Sequence, residues 1–525
     1  MYIRNIIYYI IIVLLINILS IIPAGANNLL IENVTLENRN PTNKTVVVEF
    51  DISWDNSWRT KVNHDAAWIT VRLHGTSTSP VVKKLCELKS AGINPLDSSY
   101  GSNSGIEIDV PADKKGAFIR SSAFGTNATL GSTNVRLMVD YNSCGFASTD
   151  NVVASVFGIE MVFVPEGAFY AGDFDTSSAS LDEGSADPDP WYVASEAAIN
   201  ASNPASNGFR YVSAGNAGES ATGASFSVPA AYPKGYGSFY AMKYEINEGQ
   251  WVEFFNSLPN AARANRDLTN ASHKNTDLVI KRNTISCSGS PLSCSTSRPY
   301  RPVGFLSWMD LAAFLDWASL RPMTELEFEK AARGPVLPRA GEYAWAEATV
   351  TAAAAISAGA ENGAETVTTA LANANFNSTS FSGGDSGSGA EYALGALRNG
   401  VFAGSDTDRV DSGATYYGIM EFSGNLSERT VTIGNGAGRL FVGTHGDGAL
   451  SVDAGFEGNA DSSDWPGIDV IPARGVTGAD GSGFKGGAWN DLSGTLRISD
   501  RANAANAVTS ALNNSGGRGV RTHGL

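Results

Sequence analysis

Beyond about residue 157 the sequence offers only three short helical patterns, and turn residues separate nearly everything else. Apolar side chains recur at helical spacing in residues 248–257 and 307–320, where Ser307 stands at an N-cap position. Residues 324–327 have the form of a capping box, and Gly334 followed by proline ends that pattern. The chain has 56 glycines. Helices this few and short, among this many turns, exclude a helical bundle and predict one large, irregular domain over residues 157–525.

The segment before residue 157 alternates like a β-strand. Between Thr45 and Trp54 every second residue is apolar, and residues 67–73 form another such run. Asn, Gly and Pro clusters separate these runs, which is typical of short antiparallel strands. We therefore predict an all-β, sandwich-like domain over residues 27–156, with Trp54, Trp58 and Trp68 in its core.

The first 26 residues have the features of a secretory signal. Arg4 precedes an apolar run over residues 6–22, and small residues at 24–26 form an A-x-A cleavage site. The alternative is a retained membrane anchor, because the run is nearly long enough to span a bilayer. We expect removal, no transmembrane segment afterwards, and a protein that is secreted, periplasmic or on the cell surface.

The net charge limits which binding partners are expected, and the cysteine content predicts the number of disulfides. A formal net charge of −16 repels phosphate backbones, so nucleic acid is not an expected partner. Four cysteines in an exported chain predict two disulfides. Of the three pairings, proximity favours Cys86 with Cys144 and Cys287 with Cys294.

Five sequence blocks follow one another in a recognisable order. IEMVFVPEGAFY (159–170) opens the second domain, and FYAMKYEIN (239–247) precedes the first helix. RPVGFLSW (301–308) with LRPMTELEFEKAARG (320–334) forms the third, YGIMEFSGNLSE (417–428) the fourth, and FKGGAWN (484–490) with GRGVR (517–521) the last. Together they resemble the formylglycine-generating enzyme, or sulfatase-modifying factor, family. The resemblance implies a C-type-lectin-like α+β fold for residues 157–525. The composition of the Ala/Gly/Ser-rich stretch at about 350–390 predicts a surface insertion in this domain.

Catalysis in that family uses two cysteines near the end of the domain, which bind copper as thiolates. Here the corresponding positions are Ile498 and roughly Ser493, and no cysteine follows Cys294. We therefore expect no catalytic residues and no copper. The five histidines are too scattered to supply the iron site of the related sulfoxide synthases.

The resemblance also implies a Ca²⁺ site. Side-chain oxygens of Glu421 and Glu428 would combine with the carbonyls of Gly424 and Leu426, an oxygen cage that suits a hard cation. The alternative for Glu428 is a buried ion pair with Arg429 or Arg497. A second family site would use Asn375, a carbonyl near Phe376 and Asp385.

The last segment has an unusual composition. Residues 490–521 lack Lys, Glu, Gln, Met and Trp, the residues that NNY codons cannot encode. This resembles the variable region of proteins that retroelements diversify, where loops vary on a fixed scaffold; the alternative is a segment that is simply poor in lysine. The predicted ligand contacts are Asn490, Asp491, Ser493, Thr495, Asn503, Val508, Ser510, Leu512 and Asn514, and the predicted framework residues are Arg497, Arg501, Arg518 and Arg521.

These observations favour an exported, non-catalytic recognition protein that binds an extracellular protein or glycan through its C-terminal loop surface. Two alternatives stay open. One is an enzyme, either a formylglycine-generating oxidase or another type with an unrecognised site. The other is a structural envelope protein.

Overall fold

The computed structural model describes residues 28–76, 80–101, 105–174, 176–184, 188–202, 208–211, 217–219, 225–270, 280–377, 379–404 and 407–524. The predicted signal, residues 1–26, lies outside the described residues. Within the described ranges, no helix combines the length and the apolar character needed to cross a membrane.

Short strands dominate the described chain. The helices are α1 (Glu248–Ser257), α2 (Asn260–Asn265), α3 (Trp308–Trp317) and α4 (Glu325–Arg333). The strands are β1 (Leu30–Asn40), β2 (Thr45–Arg59), β3 (Asp65–Gly75), β4 (Lys84–Leu85), β5 (Glu87–Leu88), β6 (Gly92–Ile93), β7 (Ile106–Val110), β8 (Ala117–Ser121), β9 (Gly125–Asp140), β10 (Val152–Val164), β11 (Phe169–Ala171), β12 (Trp191–Val193), β13 (Ile199–Ala201), β14 (Phe226–Val228), β15 (Phe239–Met242), β16 (Ser286–Ser288), β17 (Ser293–Ser295), β18 (Arg321–Pro322), β19 (Ser427–Val431), β20 (Ser482–Lys485), β21 (Ser515–Gly516) and β22 (Gly519–Thr522).

The N-terminal part is a two-sheet sandwich, as predicted. One sheet has the order β1-β2-β9-β5, and the other contains β10-β3-β8-β7-β6. The alternating residues of β2, from Val46 to Trp54, join side chains of β3, β7 and β9 in a common core. The disulfide between Cys86 and Cys144 closes this unit, and Cys287 pairs with Cys294, so both favoured pairings are confirmed.

Strand β10 belongs to both halves of the molecule. It pairs with β3 over Val152–Val162 and with β15 over Met161–Val164. The sheet then continues through β22 to β18. The boundary predicted after residue 156 therefore falls inside a strand that joins the two cores.

The three helical patterns form helices with the expected caps. Ser307 and Thr324 each close a capping box, with Asp310 and Glu327 respectively. Helix α3 ends at Trp317, earlier than its apolar pattern, which continues to Leu320. Ser319 has a φ of 55°, and the Leu320 N–H bonds to the Leu315 carbonyl, a left-handed turn that ends the helix.

Helix α3 packs against the shared sheet. The Trp68 indole N–H of β3 donates to the Ala318 carbonyl at 2.9 Å, and Trp68 lies in one core with Phe314 and Trp317. The 350–390 insertion shares a small apolar cluster with the residues that follow it, and this cluster includes Ile356, Phe381 and Leu397. It is therefore a packed addition to the second domain.

Candidate functional site

Residues 490–514 connect β20 to β21 and cover one side of the second domain. The segment is anchored by small and apolar side chains, since Leu496, Ile498, Ala504 and Ala511 are buried. A 3-10 turn at Ser493–Leu496 is its main regular element. These anchors fix the backbone, while other positions of the segment, such as Asn490, Asn503 and Ser510, are exposed.

The predicted contact positions and the framework positions separate by exposure. None of the nine predicted contacts is buried: Asn490, Asn503 and Ser510 are exposed, and Asp491, Ser493, Thr495, Val508, Leu512 and Asn514 are partly exposed. Leu492, which the sequence reasoning missed, is 72% exposed in the same loop. Its position in the sequence, between the predicted contacts Asp491 and Ser493, is the feature that could have identified it.

Hydrogen bonds bring distant parts of this segment together. The Asn514 side chain donates to the Asn490 side-chain oxygen at 2.9 Å, which joins the two ends of the loop. Below it, the buried Arg429 guanidinium donates to the carbonyls of Val508 and Ser510 at 3.1 and 3.3 Å. These contacts leave the side chains of Val508 and Ser510 free to face solvent.

The side chains of two predicted contact residues form hydrogen bonds within the protein. The Asp491 carboxylate accepts from the Ala488 N–H at 2.9 Å, and burial raises its pKa. The Thr495 hydroxyl donates to the Leu492 carbonyl at 2.8 Å. Both side chains hold the local turn and are partly exposed, whereas Asn490, Asn503 and Ser510 are exposed.

The predicted framework arginines contact residues from other segments of the protein. Arg501 donates to Glu325 at 2.6 Å and to the Tyr211 hydroxyl at 3.1 Å. Arg521 pairs with Asp113 of the sandwich and lies over the Trp68 ring. Arg501, Arg518 and Arg521 are all buried, whereas Arg497 is partly exposed and donates to the Thr176 carbonyl.

The proposed metal ligands Glu421 and Glu428 surround Arg518. Glu428 accepts from the Arg518 Nε at 2.6 Å, while Glu421 accepts from the Gly400 N–H at 2.7 Å. The ion-pair alternative thus has Arg518 as its partner, not Arg429 or Arg497. Burial raises the pKa of Glu421 to about 7 and raises the pKa of Glu428.

One oxygen of each carboxylate is left over. Within the described chain, Glu421 Oε2 and Glu428 Oε2 are buried and have no hydrogen-bond partner. The neighbouring Glu245 carboxylate accepts from the Asn425 side chain and from the Leu426 N–H, and its pKa is raised well above the ordinary range by burial and by Glu428. Buried, unpaired carboxylate oxygens fit a divalent cation.

The family model for the sulfatase-modifying factor enzyme 1-like domain matches residues 158–523. The chain belongs to this family. The same boundaries enclose both the terminal segment and the Glu421–Glu428 region. In a search of curated proteins, nothing matched the chain.

Among solved structures, this sulfatase-modifying-factor-like chain is similar to Treponema denticola variable protein 1, with 12% identity. The match covers 70% of this chain and 96% of that one, with a TM-score of 0.32. Similarity at this level does not extend to function.

This sulfatase-modifying-factor-like chain has no thiol at the family's catalytic positions. Ile498 is buried, and Ser493 is partly exposed on the loop. Both cysteines of the second domain are joined to each other in the β16–β17 hairpin. The residues present therefore do not fit a copper-thiolate centre.

Asp385 and Asn375, the side chains of the second predicted metal site, form hydrogen bonds with different partners. Asp385 is bound by Arg298 and Arg301 at 2.7 and 3.1 Å, and these hydrogen bonds lower its pKa to about 2 even though burial opposes the shift. Asn375 instead donates to the Gly395 carbonyl and to the Asn425 side chain.

One acidic group was not predicted. Among the described residues, Asp316, Asp447 and Asp461 are the set of three whose carboxylate oxygens lie within 4.8 Å of one another. Both oxygens of Asp316 already accept backbone N–H groups, from Asp447 and Asp461. Their separation in sequence gave no signal, because a loop returning to the end of α3 brings them together.

Proposed function

We propose that this protein is an exported, non-catalytic recognition protein that binds an extracellular protein or glycan through the surface of residues 490–514. The observation that carries this proposal is the separation between contact and framework positions. All nine predicted contacts reach the surface, while three of the four framework arginines are buried and paired. A surface built this way accepts substitutions without loss of the fold.

The proposal that this protein is non-catalytic rests on its sequence. Copper in this family needs two thiolates, and the chain has no cysteine after Cys294. Incubation with a peptide that carries a sulfatase-type cysteine motif, followed by mass spectrometry, tests it. Formation of formylglycine would contradict the proposal and favour the enzyme alternative.

Binding is tested by screening the purified protein on a glycan array and on a panel of extracellular protein domains. The triple variant N490A/S493A/S510A should lose the binding found and keep its melting temperature. The matched control is N142A/S132A/S148A, which makes the same three exchanges at exposed positions of the sandwich. Equal binding by both variants, or no ligand on either panel, would count against the proposal.

We also propose that the terminal segment is diversified by a retroelement. Its lack of residues that NNY codons cannot encode supports this. The expected finding is a near-copy of the gene's last stretch beside a reverse-transcriptase gene, with adenines replacing the variable bases. Sibling genes without variation confined to residues 490–515 would contradict it.

We further propose that Ca²⁺ binds at Glu421 and Glu428, with the carbonyls of Gly424 and Leu426. The unpaired buried oxygens of the two carboxylates support this. Ca²⁺ should raise the melting temperature of the wild type, and Glu421→Gln should abolish that increase. Glu32→Gln, an exposed change of equal charge, should retain it; a Ca²⁺ response that survives Glu421→Gln would place the ion elsewhere.

A further inference from the structure

A run of exposed apolar residues lies on the long loop of residues 441–481, which leads into β20. The run is VIPA (470–473), and all four of its residues are exposed, with Val470 97% exposed. Consecutive apolar residues in contact with water are unfavourable on a protein surface unless they have a function, and exposed apolar patches mark interaction sites. None of these residues belongs to the 490–514 surface.

Val452 extends the exposed apolar surface from another part of the same loop, and it is 87% exposed. The two residues that flank it contact the end of the VIPA run. The Ser451 hydroxyl donates to the Ala473 carbonyl at 2.6 Å, and the Asp453 carboxylate lies 3.5 Å from the Arg474 guanidinium. Val452 and the VIPA run therefore lie side by side, and together they are called the loop patch.

Hydrogen bonds hold the loop patch in one backbone conformation. The Arg474 N–H donates to the Ile471 carbonyl at 3.0 Å, and the Asp469 N–H donates to the Gly475 carbonyl at 2.8 Å. The Asp469 carboxylate accepts from the Ile471 N–H at 2.8 Å, and the Arg474 guanidinium lies 4.7 Å from the centre of the Phe456 ring. A partner would therefore meet a preformed surface, whose binding needs little ordering of the loop.

The charges around the loop patch are predominantly negative. Residues 441–481 contain seven acidic residues, one arginine and no lysine. The arginine, Arg474, lies between Asp453 and Asp469, at 3.5 and 4.0 Å from their carboxylates. One cation thus faces two carboxylates, and the surroundings of the patch keep a net negative charge.

Helix α2 packs beside this loop without adding positive charge to its surface. The Asn265 side chain donates to the Glu457 carbonyl at 2.9 Å, which joins the helix to the loop. Arg263 and Arg266 of this helix are both buried. Arg263 donates to the Leu258 carbonyl and Arg266 pairs with Asp310, so both guanidinium groups are used inside the protein.

We propose that the loop patch is a second interaction surface, which binds a protein partner that presents apolar side chains flanked by Lys or Arg. The apolar side chains pack on Val452, Val470 and Ile471, and the cations face the surrounding carboxylates. A second copy of this chain carries the same negative charge at the patch and would be repelled. Anionic lipid headgroups and nucleic acid are disfavoured for the same reason.

Isothermal titration of the purified protein with three synthetic peptides tests the proposal. The probe KLAVKLVK combines apolar side chains with lysines, KSGSKSGK keeps the lysines alone, and ELAVELVE keeps the apolar side chains with the opposite charge. We expect saturable binding of KLAVKLVK, at least about tenfold tighter than either control peptide, because only this probe matches both the apolar surface and the charge. In ~1 M NaCl the affinity for KLAVKLVK should fall at least about threefold, because salt screens the attraction between the charges.

Two double variants locate the binding. V452S/V470S should bind KLAVKLVK at least about tenfold more weakly than the wild type, because both valines lose apolar contact area with the probe. Its melting temperature should not change, since both side chains are exposed. The matched control V62S/V153S makes the same exchanges at exposed positions outside the loop and should bind like the wild type.

Equal binding of the three peptides, wild-type affinity of V452S/V470S, or the same loss in V62S/V153S would each overturn the proposal. Self-association, or binding to phosphatidylcholine vesicles, that V452S/V470S abolishes would also overturn it, because the patch would then bind a second copy or a membrane. The comparison of the peptides on the wild type keeps the test decisive if V452S/V470S does not fold. N490A/S493A/S510A should bind KLAVKLVK like the wild type, which separates failure of the loop patch from failure of the terminal recognition surface.

Discussion

Replacing Arg501 by methionine tests whether the terminal segment is a variable surface on a fixed frame. Arg501 is buried, and its guanidinium contacts Glu325, Tyr211 and the Ala179 carbonyl. Methionine fills similar space but leaves the buried Glu325 without its cation. Removing one partner of a buried ion pair costs about 3–5 kcal/mol.

The loss converts to a measurable shift in melting temperature. The unfolding entropy is about 2.1 cal/mol/K per residue, so a cooperative unit that spans residues 28–524 gains about 1 kcal/mol/K. Arg501→Met should therefore lower the melting temperature by about 3–5 °C, as measured by calorimetry or circular dichroism.

The matched control lies two residues away. Asn503 is exposed, so Asn503→Ser should change the free energy of unfolding by less than about 0.5 kcal/mol. A similar loss in both variants would mean that the segment has no division between frame and surface. An unchanged melting temperature for Arg501→Met would refute the energetic argument itself.

Three other predictions concern stability. Replacing both Cys86 and Cys144 by alanine should lower the free energy of unfolding in urea by about 4 kcal/mol. Replacing both Cys287 and Cys294 should lower it by about 2 kcal/mol, because this disulfide closes a shorter loop. Equal losses in the two variants would contradict this reasoning. Trp68→Ala should lower the free energy of unfolding by about 3–5 kcal/mol and destabilise both halves together, because Trp68 of β3 packs on helix α3 of the second domain. Two separate unfolding transitions, of which only one is shifted, would contradict the shared core. Burial and the neighbouring Asp461 raise the pKa of Asp316 to about 8, so the folded protein holds a proton there that the unfolded chain releases near pH 4. The stability of the wild type relative to Asp316→Asn should therefore fall as pH rises from about 4 to 8, and a constant difference in urea unfolding across that range would contradict the shift.

The main helices, the first strands of the sandwich and the family can be predicted from the sequence. Period-2 apolar residues fixed the core face of β2, and the capping residues Ser307 and Thr324 fixed the starts of α3 and α4. These signals are readable because each depends on neighbours within a few residues. The absence of cysteine after Cys294 likewise needed no structure.

Which distant side chains come into contact depends on the tertiary structure. It paired Glu428 with Arg518, where the sequence suggested Arg429 or Arg497, and it kept Asp385 with Arg298 and Arg301. It also made β10 common to both halves of the molecule. Such contacts depend on how loops close over long sequence distances, and side-chain type alone does not specify that closure.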